Sequence, residues 1–205
     1  MPLDLESGRA NQKARTREAL VDAAIALVGE GKEFSVPDVA DLARVSRTTA
    51  YNYFPTVESL YRQAVLTFVA RQDLGFYELF ERSRDVEARV TSVVEMSDAS
   101  VNAHEPQYRG LLGVSLESHD DDDLPRRPAY RPKWLTDALE PVREQLDPSA
   151  FERLVSALSL TVGIEAHVTL RDVCGLSAAE ARRTKVWAAQ ALLANALAEQ
   201  RKRET

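Results

Sequence analysis

Apolar residues recur at three- and four-residue spacing along nearly the whole chain, and no stretch of apolar/polar alternation lies between turn signals. That pattern predicts an all-α fold. Leu20, Ala23, Ala24, Leu27 and Val28 form one stripe on a helix from about Asn11 to Gly29, which Gly29 and Gly31 end. Ser35 is a good N-cap, with Pro37 in the first turn and Asp38 where a carboxylate suits the helix dipole, so a short helix follows to about Ala43. Ser46 caps the next, and Pro55 stops it by pushing Phe54 out of helical geometry. Thr56 caps a long fourth helix bearing Leu60, Ala64, Val65, Phe68 and Val69, expected to continue past Gly75 through Phe76 and Phe80. Further helices are expected at about 86–103, 106–118, 129–146, 149–172 and 177–199. Asp120 to Asp123, with Pro125, Pro128 and Pro132 after them, reads as a mobile loop.

With 205 residues, 44% hydrophobic and 28% charged, the chain has the composition of a globular protein of one or two domains. The longest apolar runs, such as Ala23 to Val28, fall short of the roughly 20 residues of a membrane span, and Met1 to Arg9 lacks a signal-peptide core. A cytoplasmic location with no membrane contact is the expectation. The lone Cys174 can form neither an internal disulfide nor a cysteine metal site, and a buried, inert thiol is expected. The net charge of −6 resides in the body of the chain, because residues 1–55 carry seven Lys/Arg against eight Asp/Glu. Within that near-neutral front, Arg9, Lys13, Arg15 and Arg17 run without an intervening acid, a local footprint for phosphate.

Signs of catalysis are missing from the sequence. It contains no Gly-rich phosphate loop, Gly-x-Ser-x-Gly elbow or His-Glu-x-x-His run, and its three histidines are scattered. His119 beside Asp120 to Asp123 is followed by no Gly-containing calcium loop. No enzyme activity, cofactor or metal is therefore expected.

The informative segment is Ser35 to Phe54, where two short capped helices are separated by about three residues. Val45, Ala50 and Phe54 share the face expected to pair with Val39 and Leu42, which leaves Arg47, Thr48, Tyr51 and Asn52 outward at i, i+1, i+4 and i+5. Such a helix-turn-helix can set its second helix in the major groove, where Arg47 suits guanine and the Thr48 methyl or Asn52 amide suits thymine or adenine. The same spacing also serves a helical hairpin that only packs, or a protein-interaction module with no DNA role.

Several linked blocks are more specific: Thr16 to Ala24, Val39 to Ala43, Val45 to Phe54, and Glu58-Ser-Leu60. From about Lys13 to Phe68 the chain resembles the DNA-binding domain of the TetR family of regulators, over a little more than a quarter of its length. The resemblance implies that Arg47 and Thr48 read bases, that Thr49, Tyr51 and Tyr53 contact phosphates, and that Lys13, Arg15 and Arg17 lie near the flanking backbone. It divides the chain into a helix-turn-helix DNA-binding domain, 11–70, and a helical effector-binding and dimerisation domain, 71–205. Three positions depart from the family: Arg44 stands where the turn usually has Gly, Val57 where a Lys commonly begins the fourth helix, and Tyr53 where His is frequent.

A two-turn reading helix contacts too few bases alone, so a homodimer on a palindromic operator is expected. Helices 149–172 and 177–199 would supply the interface, one through the stripe Phe151, Leu154, Val155, Leu158 and Val162, with Leu160, Ile164 and Leu170 extending it. The other would supply Trp187, Ala191, Ala194 and Ala198 beside Val186, Leu193 and Leu197. Packing within the chain would use the same stripes. By the resemblance the middle helices hold a pocket for a small-molecule effector of unknown identity, with Tyr77, Phe80, Met96, His104, Tyr108, Trp134 and His167 as candidate lining. The implied output is repression, relieved when an effector tilts the fourth helix and changes the separation of the two reading helices.

Overall fold

A computed structural model describes residues 5–71, 83–117 and 130–203, and among them every regular element is helical. The elements are α1 (Leu5–Gly29), α2 (Val36–Ala43), α3 (Arg47–Tyr53), α4 (Val57–Arg71), α5 (Val86–Ala103), α6 (Glu105–Glu117), α7 (Tyr130–Ala138), α8 (Pro148–Leu158), α9 (Ile164–Val168) and α10 (Ala178–Arg203). No helix among the described residues is long and apolar enough to cross a membrane. Tyr77, Phe80 and the acidic run Asp120 to Asp123 lie outside the described residues.

The chain divides into two compact units, residues 1–73 with 105–126 and residues 74–104 with 127–205. In the first, Leu20, Ala23, Ala24 and Val28 of the predicted α1 stripe are buried and Leu27 is half-buried, and Leu20, Val21, Ala23 and Ala24 close a core with Val36, Val39 and Ala40 of α2, Ala50 of α3, Phe54, and Leu60 and Ala64 of α4. Leu42 does not join it and is 52% exposed. It lies about 120° round α2 from the centre of the face formed by Val36, Val39 and Ala40, so burying that face turns Leu42 to water. A smaller cluster of Val28, Val65 and Leu111 brings in α6, which lies within the expected second domain 71–205 yet packs against α1 and α4. Arg71 ties the far end of α4 to Asp22 and Glu18 of α1.

The second unit corrects two expected helices. The one at 129–146 ends at Ala138 and continues as a 3-10 turn over Glu140–Gln145. Pro141 has no N–H for the Asp137 carbonyl and its ring crowds that turn, so an α-helix cannot run through it. The Arg89 guanidinium donates to the freed Asp137 carbonyl at 2.9 Å. The helix at 149–172 breaks after Leu158 into a 3-10 turn, Ser159–Thr161, an extended Val162, and α9, which finishes as a π turn over Thr169–Val173. Gly163 sits at φ +88° with ψ −172°, a conformation open to glycine alone without strain. The break is sealed by hydrogen bonds: Gly163 N–H donates to the Ser97 hydroxyl at 3.1 Å, and Arg131 donates to the Val162 carbonyl at 3.1 Å while forking onto Glu165 at 2.8 and 3.0 Å. The changed helical phase leaves Leu160 79% exposed rather than buried. Cys174, expected to be buried, is exposed at the end of the π turn.

Phe151, Leu154, Val155, Leu158 and Val162 pack inside the second unit with Val90, Val93, Val94, Leu135, Leu139, Ala189 and Leu193. A charge lies at the contact of α5 with α10. Asp98, 2% exposed, accepts from Arg182 Nε at 2.9 Å and from Lys185 Nζ, whose side chain is itself buried. Burial pushes the Asp98 carboxyl up, but the hydrogen bonds and charges of Lys185 and Arg182 outweigh it and hold it below its ordinary value. A carboxyl depressed on folding adds stability above its unfolded pKa, and that contribution is lost as pH falls through the folded value. Asp98→Asn should therefore destabilise the chain by roughly 3 kcal/mol near neutrality, because it strands the buried Lys185 charge. Denaturant and thermal melts should show the gap from the parent closing below about pH 4, and a gap that stays constant with pH would refute the charge argument.

Candidate nucleic-acid interface

The segment Ser35 to Phe54 is built by caps. Asp38 accepts from both the backbone and the hydroxyl of Ser35, at 2.8 and 2.6 Å, while its own N–H donates to the Ser35 hydroxyl, a reciprocal box that fixes the start of α2. These hydrogen bonds hold the Asp38 carboxyl below its ordinary value. At the other end of α2 the Arg44 N–H donates to the Asp41 carbonyl at 3.2 Å and the Val45 N–H to the Ala40 carbonyl at 2.9 Å, the paired closure of a Schellman turn. That closure requires a left-handed residue after the helix. Arg44 takes the position at φ 56° and ψ 41°, and it has the only positive φ outside glycine among the described residues. Despite the departure from Gly at this position, Arg44 takes the left-handed turn conformation, with the strain that implies.

Ser46 then caps α3, its hydroxyl accepting from the Thr49 N–H at 3.1 Å and lying 2.7 Å from the Thr49 hydroxyl. Ala50 is fully buried and Phe54 4% exposed, and Val45 and Tyr53 pack against the same core. The opposite face carries Arg47, Thr48, Tyr51 and Asn52, all exposed, and brings them onto one surface as the spacing predicts. Thr49 and Tyr53 flank that surface and are half-buried.

Two basic groups are more engaged than the sequence suggests. The Arg47 guanidinium donates to Asp41 of α2 at 2.9 Å, and that carboxylate raises the Arg47 pKa. Both side chains are more than 60% exposed, so water screens the pair and it exchanges readily. Arg17 donates to Gln63 of α4 at 2.8 Å and places its guanidinium 5.5 Å from the centre of the Phe54 ring. It thus clamps the end of the α3 segment, while Lys13 and Arg15 on α1 are exposed. The Asp41 contact was missed at the sequence level because it joins side chains six residues apart across a turn, a spacing that belongs to no single helix.

The five described effector candidates occupy separate places. Met96 and Trp134 pack on the core of the second unit, where Trp134 stacks on Tyr130 at 6.1 Å, and His167 is buried there. His104 closes the end of α5, and Tyr108 of α6 meets Phe68 edge-on at 5.6 Å. None of these five lines the cleft of about 950 Å³ in the first unit or the one of about 700 Å³ in the second.

The turn yields a direct test. Arg44→Gly removes the left-handed strain and should raise stability by about 1 kcal/mol, after the extra chain entropy of glycine is charged against it. A denaturation midpoint that is unchanged or lower would show that Arg44 stabilises the turn by other means. No protein-family model matches this chain, and neither does any curated protein.

Proposed function

We propose that the chain is a sequence-specific DNA-binding regulator of the TetR type, a cytoplasmic repressor that binds a palindromic operator as a homodimer and leaves it when a small-molecule effector binds. The observation that carries this reading is the polar face Arg47, Thr48, Tyr51 and Asn52, held outward on a seven-residue helix by caps and a buried Ala50–Phe54 seat. In the proposed complex this helix-turn-helix sets α3 in the major groove. Arg47 exchanges Asp41 for a guanine edge, Thr48 and Asn52 meet neighbouring bases, and Thr49, Tyr51 and Tyr53 grip phosphates. Lys13 and Arg15 lie toward the flanking backbone, with Arg17 partly diverted to its structural clamp.

Dimerisation would use the surface that the second unit leaves uncovered. Trp187 is 70% exposed, and Ala191 and Ala194 follow it on the same side of α10. Val186, Leu193 and Leu197 turn inward onto the unit's own core, as does the Phe151 to Val162 stripe. The interface proposed here is thus narrower than the two stripes the sequence offers.

Selection from random-sequence duplexes should yield a palindrome that the chain protects from cleavage. Arg47→Ala with Tyr51→Ala should lower affinity for it by roughly 100-fold in a protein that melts normally. Retained binding would sink the reading. Trp187→Glu should convert a dimer to a monomer in sedimentation at micromolar concentration, and a parent chain that is monomeric there would count against the interface.

A further inference from the structure

Within the first unit a cleft of about 950 Å³ opens between the end of α1, the loop to α2, the first two turns of α4 and the first three turns of α6. Its size suits a small organic ligand. The walls are mainly apolar and include Val28, Phe34, Val57, Tyr61, Pro106 and Val114. Two glycines of α6 shape it. A Cβ at Gly110 would fall 2.2 Å from the Tyr61 hydroxyl, so the hydroxyl end of Tyr61 can press against α6 only because that carbon is absent. A Cβ at Gly113 would meet nothing within 4 Å, and there the wall is open.

The charges along this cleft are not equivalent. Lys32 is paired with Glu30 at 3.0 Å and Arg109 with Glu105 at 2.7 Å. Glu33 and Glu58 are exposed and solvated. Arg62 of α4 is half-buried, and its Nε is sealed from water with no hydrogen-bond acceptor among the described residues. A buried donor without a partner carries its full desolvation cost, which an acceptor on a ligand recovers once the side chain turns that edge of its guanidinium to the cleft it lines. The guanidinium edge presents two parallel N–H groups, the geometry that a carboxylate accepts with both oxygens.

We propose that this cleft binds an apolar carboxylic acid, with its carboxylate on Arg62 and its hydrocarbon body against Phe34, Tyr61, Val57 and Val114. Phe34 packs on both apolar clusters of the unit, and Val57 on the one that seats Ala50 and Phe54. Occupancy therefore bears on the seat of α3. That consequence rests on the reading of α3 as a DNA-binding helix, whereas the binding itself does not.

The test uses 1-pyrenebutyrate, its primary amide and the corresponding primary amine, titrated into the full-length chain and followed by fluorescence anisotropy. The carboxylate should bind at least about tenfold more tightly than the amide, with the amine weaker again. Arg62→Gln should erase the difference between carboxylate and amide. Gly113→Phe, which fills the open wall, should abolish binding of all three in a protein whose thermal melt is unchanged, and if it does not fold, the Arg62→Gln result decides alone. Equal binding of carboxylate and amide by the parent chain, or an undiminished preference in Arg62→Gln, would overturn the proposal. A second arm adds the selected duplex, whose affinity the carboxylate should change in the parent but not in Arg62→Gln. Carboxylate binding without any DNA binding would support the cleft and fail the regulator reading. DNA binding without carboxylate binding would do the reverse.

Discussion

A helix of seven residues cannot sustain itself in water, because nucleation costs more than so few hydrogen bonds return. The candidate interface of this protein is such a helix, and it exists only through its seat. Ala50 and Phe54 press into Leu20, Val39, Ala40 and Leu60, elements that come from three other helices. Everything presented on the outer face of α3 inherits its position from that contact. The caps at Ser35 and Ser46 and the closure at Arg44 fix where the short helices begin and end, and Arg17 holds the exit by lying across Phe54 and bonding to Gln63.

Much of this unit was legible in the sequence because its determinants are local. Caps, the proline stop and the i, i+3, i+4 spacing are properties of a few adjacent residues, and they located α2, α3 and the outward face. Helix α5 likewise runs over the expected residues. Leu42 misled because i+3 from Val39 resembles a shared face until the position of the whole stripe is known. In the second unit the expected helices 129–146 and 149–172 proved broken. Pro141 was a visible local signal that apolar periodicity overrode. Gly163 was quieter, because its left-handed conformation depends on Ser97 and Arg131, residues distant in sequence that satisfy the freed backbone groups.

The least legible features join residues far apart. Asp98 meets Lys185 and Arg182 across more than eighty positions, and nothing in the amphipathic pattern of α5 marks an aspartate as buried. The cleft beside Arg62 is assembled from four separate segments, one of which, α6, is reduced to glycine at two wall positions. The five described effector candidates share a chemistry but no common cleft, because residue chemistry alone carries no placement.

Under the proposed reading of Arg47 as a base-contacting residue, its ion pair with Asp41 bears on fidelity. An arginine that faces a wrong base in a groove is ordinarily left desolvated with no acceptor, and that loss is a large part of how it discriminates. Here a carboxylate waits 2.9 Å away in the free protein, so a guanidinium refused by the base has somewhere to return. A reading residue with such a refuge would punish mismatches gently. At the base pair it faces, a regulator of this design would accept a family of related sites rather than a single sequence, and a set of genes could be graded by affinity through one position.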